Sequence, residues 1–395
     1  MAVKYLNKDH INGFDKYKYS SRDTSPVAVY VMHPFWNAVV KFYPMWLAPN
    51  LLTFVGFLFQ VYLFLLLAYY DWDYYSGNRT KAEYPTIPNW VWYVAAVCQF
   101  LGHTLDGTDG KQARRTGSST PLGELFDHGS DSILCALMPL GLFSIFGKGM
   151  DDYGGSSWIF FAVQWHVIGC FFVSHWEKYL TGVLFLPWSY DFSQVSIVIV
   201  YLLTGTFGFE VWKITLPYGI QFNYFFLGLV CAGAVVFSLP QSIYNIVRSF
   251  QTGSGKRRSL SEAATPLISM LALFGISTFW GLFSPTDVLE YHTRIYLLAV
   301  STVFSNITVR LIISQMSDTL ACLNNFLLML FGGAAVAVCV LGIAEHEVLI
   351  LHGLFAIILL LHFHYLVTVV NQLSDHFNIY AFSITSRPRQ KNHVK

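Results

Sequence analysis

The sequence predicts an all-α polytopic membrane protein, a helical bundle of about ten transmembrane helices preceded by an N-terminal interfacial helix. Of its 395 residues, 54% are hydrophobic and only 12% are charged, whereas soluble globular proteins carry about 25% charged residues. One soluble core cannot bury this much apolar surface, so the chain needs lipid around it. The formal net charge of +1 argues against a nucleic-acid partner, which would require a concentrated basic face.

Ten apolar runs approach the ~20 residues that a helix needs to cross a bilayer. They lie near 51–70, 89–105, 130–147, 157–175, 194–209, 222–247, 265–283, 294–313, 324–344 and 348–370. Ahead of them, residues 33–48 mix Trp and Phe with Lys41. This composition predicts a helix that lies in the membrane interface before the first span.

Basic residues predict which way the loops face. With a cytosolic N-terminus, the connections after the even-numbered spans fall on the cytosolic side, where Lys and Arg are expected to be enriched. These connections and the tail carry Lys111, Arg114, Arg115, Lys178, Lys256, Arg258, Arg387, Arg389, Lys391 and Lys395. The first loop on the other side is acidic and holds an N-x-T sequon at Asn78, where a lumenal glycan could attach.

Charge collects in one segment of the chain. Residues 106–131 hold eight of the 47 Lys, Arg, Asp and Glu residues. Acidic side chains at the end of one span and the start of the next are costly unless they are paired or bind cations, so this segment is a candidate functional site. At about 100° per residue, Asp106 and Asp109 share one helix face, and Asp127 and Asp131 share another. Two antiparallel helices would bring the four carboxylates together.

Four clustered carboxylates repel one another unless cations lie between them. Oxygen ligands favour two Mg²⁺ or Mn²⁺ ions, and no Cys/His set stands at zinc-ligand spacing. Two such ions can clamp a phosphoryl group during in-line displacement. Nearby, Gly110, Ala113 and Gly123 remove bulk where a diphosphate would approach, and Arg114 can bind a phosphate in bidentate fashion. The small residues are also ordinary in membrane helix packing, and Arg114 could be a positive-inside anchor.

Written out, the segment reads DGTDGKQARRTGSSTPLGELFDHGSD and contains D-x-x-D-G-x-x-A-R-x8-G-x3-D-x3-D without substitution. It resembles the signature of the CDP-alcohol phosphotransferase family. Over essentially the whole chain, further segments resemble the eukaryotic ethanolaminephosphotransferase branch of the selenoprotein type: GFDKYKYS, YVMHPFWN, WLAPNLLTF, SHWEKYLTGVLFLPW and QLSDHFNIYAFS. That type carries a selenocysteine in a C-terminal extension, whereas the tail SRPRQKNHVK has no Cys.

The resemblance implies transfer of a phosphoalcohol from a CDP-alcohol to diacylglycerol with release of CMP. CDP-ethanolamine is the expected donor, and a cholinephosphotransferase or a dual-specificity enzyme is the alternative. The four aspartates would hold the metals, and Arg114 and Gly110 would contact the diphosphate. Asn50, at the start of span 1, matches a position near the nucleotide, although Asn is also an ordinary helix cap.

The resemblance also implies the setting of the protein. A homodimer in the endoplasmic reticulum or Golgi membrane, with its active site facing the cytosol, is expected. The chain then divides into a cytosolic N-terminus with the interfacial helix (1–48), a catalytic bundle (49–250), additional transmembrane helices (251–372) and a cytosolic tail (373–395).

The acceptor hydroxyl must lose a proton during this reaction. A metal-bound carboxylate is a poor base because the cation lowers its proton affinity. His128, on the arc of Asp127 and Asp131, is therefore the candidate proton acceptor, with Asp131 as the alternative, and Glu124 could orient His128.

A polytopic transporter or lipid-binding protein is the non-enzymatic alternative. A cation transporter would place acids near the bilayer midplane and on several spans, often in broken helices. Here the acids gather at one end of two spans beside basic residues, which favours the enzyme.

Overall fold

A computed structural model describes residues 3–386, so the predicted basic tail from Arg387 onward lies outside the described residues. The α-helices are α1 Lys8–Phe14, α2 His33–Val39, α3 Pro49–Tyr70, α4 Asn89–Thr116, α5 Pro121–Phe146, α6 Ser157–Thr181, α7 Ser189–Phe207, α8 Phe222–Gly233, α9 Leu239–Thr252, α10 Leu260–Phe283, α11 Val288–Tyr291, α12 Thr293–Ser317, α13 Phe326–Cys339 and α14 Glu347–Phe377. The strands are β1 Ser21–Arg22, β2 Leu184–Phe185, β3 Ile379–Tyr380 and β4 Ser383–Ser386.

Seven helices in the described part of the chain are long and apolar enough to cross a membrane, namely α3, α5, α6, α7, α10, α12 and α14. The three other predicted crossings are helical as well. The α4 helix carries charges in its last three turns, α8 joins α9 through a π-helical segment (Ala234–Ser238), and α13 has 14 residues. The predicted all-α, multi-pass bundle is therefore confirmed, whereas the other three predicted crossings are helices that are shorter, broken or more polar than a full apolar span and stay predictions as crossings.

The α12 helix lies at the centre of the bundle. In its most apolar window, 89% of the residues are buried, and it packs against α5, α6, α10 and α14. Its polar side chains find partners inside the bundle, since Ser305 and Asn306 contact the ring nitrogens of His362 at 3.0 and 3.2 Å. His362 is thus a structural hydrogen-bonding residue, as its position in a span predicts.

The predicted interfacial helix is present but displaced along the chain. Helical backbone runs from residue 28 to residue 42, through a π-helical segment, α2 and a 3-10 turn, and not over 33–48. It ends early because Pro44 disfavours helical backbone at Tyr43, which is extended. Its buried side chains recur every four residues and are Ala28, Met32, Trp36 and Val40. The helix therefore presents one apolar face to the bundle.

At the opposite end of the bundle, the sequon at Asn78 forms a turn. The Asn78 side chain is buried, and its Nδ2 donates to the Lys148 carbonyl at 2.9 Å. Its Oδ1 accepts from the backbone and the hydroxyl of Thr80 at 2.8 and 2.7 Å. The expected glycan site is therefore inaccessible in the folded chain, because the amide nitrogen that would carry the sugar is enclosed.

Candidate active site

The charged segment forms a helical hairpin. The α4 helix continues through the first two aspartates to Thr116 and ends at Gly117, whose φ of 66° favours glycine. A few residues later, the Thr120 side chain caps α5 by accepting from the Gly123 amide at 3.1 Å, and Pro121 occupies the first helical position. This short connection makes the helices antiparallel and turns their two acidic faces toward each other.

The carboxylates meet between these helices. Asp106, Asp109 and Asp127 each bring one oxygen within 4.8 Å of the others. Asp131 lies one turn beyond Asp127 and lines the same cavity, but it is not part of this tight cluster. Three hard oxygen donors at this spacing fit a divalent cation such as Mg²⁺ or Mn²⁺. Three of the four predicted carboxylates are thus gathered closely enough to share an ion.

Two hydroxyl groups from other helices orient the carboxylates. Thr53 Oγ1 on α3 donates to Oδ2 of Asp109, and the Tyr190 hydroxyl on α7 donates to Oδ2 of Asp106 at 3.2 Å. Such outer contacts fix the direction of metal ligands. The sequence does not single out either residue, because both lie outside the charged segment and only helix packing brings them to it.

The predicted phosphate and nucleotide residues line the cavity beside the carboxylates; they are Asn50, Gly110, Ala113, Arg114 and Gly123. A Cβ added at Gly123 would lie 3.3 Å from Oδ1 of Asn50, so glycine leaves room for that side chain. Asn50 does not cap α3, whose N-cap is Ala48. Its amide is therefore free of the capping role that the sequence left open.

Two adjacent arginines near the end of α4 have different surroundings. Arg115 Nη1 donates to the carbonyls of Val40 and Tyr43 at 2.9 and 2.6 Å and so ties α4 to the interfacial helix. Arg114 is exposed, borders the cavity and has no hydrogen bond or ion pair among residues 3–386. Of the two guanidinium groups, that of Arg114 is available to a diphosphate.

His128 is buried at the cavity wall. Its Nε2 lies 3.8 Å from Oδ2 of Asp127, and its Nδ1 lies 3.8 Å from Oε1 of Glu124. The second distance exceeds a hydrogen bond, and Oε1 of Glu124 instead accepts from Lys178 Nζ at 2.5 Å and the Tyr17 hydroxyl at 2.6 Å. Orientation of His128 by Glu124 therefore stays a prediction.

Lys178 is a buried helical residue and not the loop residue that the sequence predicts. The α6 helix continues to Thr181, beyond the predicted end of the span at residue 175, and Lys178 is 1% exposed. On the same helix, the ring of His175 packs against His128 with 5.1 Å between centroids. The buried wall of the site thus extends onto α6.

The N-terminal strap, defined here as residues 17–25, forms part of the cavity wall at the site. Its β1 pairs in parallel with β2, and Trp188 Nε1 donates to Thr24 Oγ1 at 2.9 Å. Burial, together with the charge of Glu124, raises the pKa of Tyr17, so the hydroxyl stays protonated and donates. The sequence predicts no site residue in this segment, and its position at the cavity comes from pairing with a segment more than 150 residues away.

The cavity that the strap helps to line measures about 1410 Å³. From the carboxylates it runs between α5, α6, α7 and α8. Its far half is lined mainly by apolar side chains, including Met138, Leu142, Phe160, Val163, Phe226 and Val230. A polar end and a long apolar extension suit an amphiphilic molecule.

A membrane-embedded helical bundle whose antiparallel α4–α5 hairpin presents an aspartate cluster to such a cavity defines the class of protein. Residues 46–231 match the family described as CDP-alcohol phosphatidyltransferase, and the chain belongs to this family. Ethanolaminephosphotransferase 1 of Homo sapiens is 47% identical over 385 residues, which cover 97% of this chain and 95% of the relative.

Relatives with other names are more distant. Choline/ethanolaminephosphotransferase 1 of Arabidopsis thaliana is 28% identical over 405 residues, covering 97% of this chain and 99% of the relative. Cholinephosphotransferase 1 of Danio rerio is 29% identical over 323 residues, covering 80% and 78%. Similarity to the human ethanolaminephosphotransferase thus exceeds similarity to these two relatives by a wide margin.

Proposed function

We propose that this chain is an ethanolaminephosphotransferase that transfers phosphoethanolamine from CDP-ethanolamine to diacylglycerol, giving phosphatidylethanolamine and CMP, the last step of the Kennedy pathway. The observation that carries this proposal is the cluster of Asp106, Asp109 and Asp127 at the polar end of an amphiphilic cavity. The preference for ethanolamine is supported by the 47% identity to a relative of that name, against 28% and 29% for the two relatives whose names include choline.

The donor binds at the hairpin. The three clustered aspartates and Asp131 would hold two Mg²⁺ or Mn²⁺ ions, which when bound would supply positive charge for the diphosphate and the CMP leaving group. Arg114 and the backbone beside Gly110 and Ala113 contact the diphosphate. Asn50, with Gly123 leaving it room, contacts the nucleotide.

The acceptor occupies the rest of the cavity. The acyl chains of diacylglycerol lie along the apolar lining, which places the 3-hydroxyl at the polar end beside His128. That oxygen attacks the phosphorus that bears ethanolamine, the bond to the CMP oxygen breaks, and His128 takes the hydroxyl proton. Asp131 is the alternative proton acceptor, and exclusion of water by the buried wall limits hydrolysis of the donor.

The proposed location, oligomeric state and domain boundaries are those that the sequence predicts. The protein is a homodimer of the endoplasmic reticulum or Golgi membrane, and its active site faces the cytosol, where CDP-ethanolamine is soluble. Residues 1–48 form the N-terminal region, 49–250 the catalytic bundle, 251–372 additional transmembrane helices and 373–395 the tail. The family match over residues 46–231 falls mostly within the second of these segments.

A release assay on the purified full chain tests this function. CDP-ethanolamine or CDP-choline is supplied with diacylglycerol, with and without Mg²⁺ or Mn²⁺, and both CMP and lipid product are measured, with Asp127→Asn as the inactive control. We expect metal-dependent product chiefly from CDP-ethanolamine. A clear preference for CDP-choline would identify a cholinephosphotransferase, comparable rates a dual-specificity enzyme, and no metal-dependent CMP release from either donor would favour the transporter.

A further inference from the structure

We propose that Asp23, on the N-terminal strap, accepts the ammonium group of the ethanolamine headgroup and thereby distinguishes a primary ammonium from a trimethylammonium. The inference rests on the proposed function. It starts from the acids of the cavity, which are Asp23, Asp106, Asp109, Glu124, Asp127, Asp131 and Asp191.

Six of these seven carboxylates already have another partner or role. Four belong to the aspartate signature. Glu124 is paired with Lys178 at 2.5 Å, and Asp191 contacts His103 Nε2 at 2.9 Å with both side chains 3% exposed. Asp23 has the weakest ion-pair contact of the three acids outside the signature, since the charged group paired with it among the described residues is the partly exposed His33, whose Nε2 lies 3.5 Å from Oδ2.

Asp23 is held in a fixed position. Its Oδ1 accepts from the Ser25 amide at 3.0 Å, and the strap is tied on both sides of it, by β1–β2 pairing and by the contact of Thr24 with Trp188. Among residues 3–386, Oδ2 makes no hydrogen bond and has only the 3.5 Å contact with His33 Nε2. A carboxylate oxygen fixed in this way needs no rearrangement to bind a cation.

Residues near Asp23 also contact the aspartate cluster. Asp191, whose charge acts on Asp23, directly follows Tyr190, and the Tyr190 hydroxyl donates to Asp106. The ring of Trp36 packs so closely on Gly107 that an added Cβ would lie 2.2 Å from it. Trp36 is buried and lines the cavity, and its Nε1 has no acceptor among the described residues. The N–H donor of Trp36 and the carboxylate of Asp23 line the same cavity, and together they complement the two charges of a zwitterion such as phosphoethanolamine.

The chemistry of the two headgroups differs at this point. A primary ammonium donates hydrogen bonds to a carboxylate, whereas a trimethylammonium has no N–H and favours aromatic rings. Burial, reinforced by the charge of Asp191, raises the pKa of Asp23, and a bound cation would offset that cost. A fixed carboxylate therefore favours ethanolamine.

Asp23→Asn tests the inference, because the amide oxygen can still accept from Ser25 while the charge is removed. We expect kcat/KM for CDP-ethanolamine to fall about tenfold or more, as for loss of a charge-assisted hydrogen bond. The value for CDP-choline and the inhibition constant of CMP should stay unchanged. Asp9→Asn, at an exposed position of α1 on the same N-terminal segment, is the matched control and should behave like the wild type.

Three outcomes would overturn the inference. Equal losses of kcat/KM with both donors, together with weaker CMP inhibition, would mean that Asp23 accepts a hydrogen bond from the cytosine amino group. Equal losses of kcat/KM with unchanged CMP inhibition would mean that Asp23 only stabilises the strap. No loss with either donor would mean that Asp23 does not bind the headgroup. The wild type in the same assay separates these cases from failure of the proposed function, which would appear as no ethanolamine transfer before any substitution.

Discussion

Lys178 Nζ lies 2.5 Å from Oε1 of Glu124, and both side chains are buried beside His128. The contact joins α6 to the first turn of α5, and the Tyr17 hydroxyl donates to the same carboxylate oxygen. One ion pair therefore connects two helices of the catalytic bundle and the N-terminal strap.

Removing the lysine alone should destabilise the protein. In Lys178→Met, Glu124 keeps its charge in a buried place and retains Tyr17 as its hydrogen-bond donor, so we expect a loss of about 3 kcal/mol. Adding Glu124→Gln removes the unpaired charge. The thermal unfolding midpoint of the double variant, measured in detergent, should therefore return much of the way from that of Lys178→Met to that of the wild type. Equal midpoints for the single and double variants would contradict this account.

The hydroxyl of Thr53 should set metal affinity. Thr53→Val removes the donor to Asp109 at nearly the same volume, and loss of such an outer contact typically costs about 10- to 100-fold in metal affinity. The Mg²⁺ or Mn²⁺ concentration for half-maximal activity should rise accordingly, while activity at saturating metal recovers. Thr53→Ser keeps the hydroxyl and serves as the control, so a shift of equal size in that variant would exclude the hydrogen bond as the cause.

His128 and Asp131 can be separated by substitution. If His128 accepts the proton, His128→Ala should lower kcat by about 10²- to 10⁴-fold with little change in KM for CDP-ethanolamine. Asp131→Asn should chiefly alter the metal requirement. Near-normal turnover in His128→Ala, together with an inactive Asp131→Asn that still binds metal, would transfer the role to Asp131.

Space at Gly123 should control nucleotide binding. A Cβ there would lie 3.3 Å from Oδ1 of Asn50, whereas a Cβ at Gly129 on the same helix would meet only Val309 at 3.9 Å. We therefore expect Gly123→Ala to raise the KM for CDP-ethanolamine roughly threefold to tenfold through displacement of Asn50. Gly129→Ala should leave KM near the wild-type value, and an equal rise in both variants would point to a general effect on α5.

At the opposite end of the bundle, Asp152 should make stability depend on pH. Burial opposes ionisation of Asp152, but hydrogen bonds from Arg79 and the charge of Lys213 outweigh it and lower the pKa of this carboxyl. Ionised Asp152 therefore contributes to the free energy of unfolding above the ordinary Asp pKa of about 4, and this contribution is lost as pH falls through the lowered pKa.

Asp152→Asn tests that dependence. It should lower stability at pH 7 by about 2 kcal/mol, and the difference from the wild type should shrink as the solution approaches pH 3. Glu83→Gln, at an exposed position of the α3–α4 loop that also carries Arg79, is the control. A difference that is constant with pH would show that the carboxylate charge is not responsible.

Local spacing accounts for what the sequence predicts correctly. The helices at the ten predicted crossings, seven of them long and apolar enough to span a membrane, follow from runs of apolar residues. The aspartate faces of α4 and α5 follow from helical periodicity, which depends only on residues a few positions apart. The interfacial helix and the end of α6 are misplaced by several residues, because helix ends depend on single residues such as Pro44 and on burial of Lys178.

By itself, the sequence determined the membrane class, the helical spans and the four aspartates, since these are written in composition and short-range periodicity. Only the tertiary structure decided that Thr53 and Tyr190 donate to the carboxylates, that Glu124 pairs with Lys178 and not with His128, and that the strap brings Asp23 to the cavity wall. These contacts join residues far apart in the chain, and no local pattern encodes them. They form because packing the helices leaves buried polar groups that must find partners across the bundle.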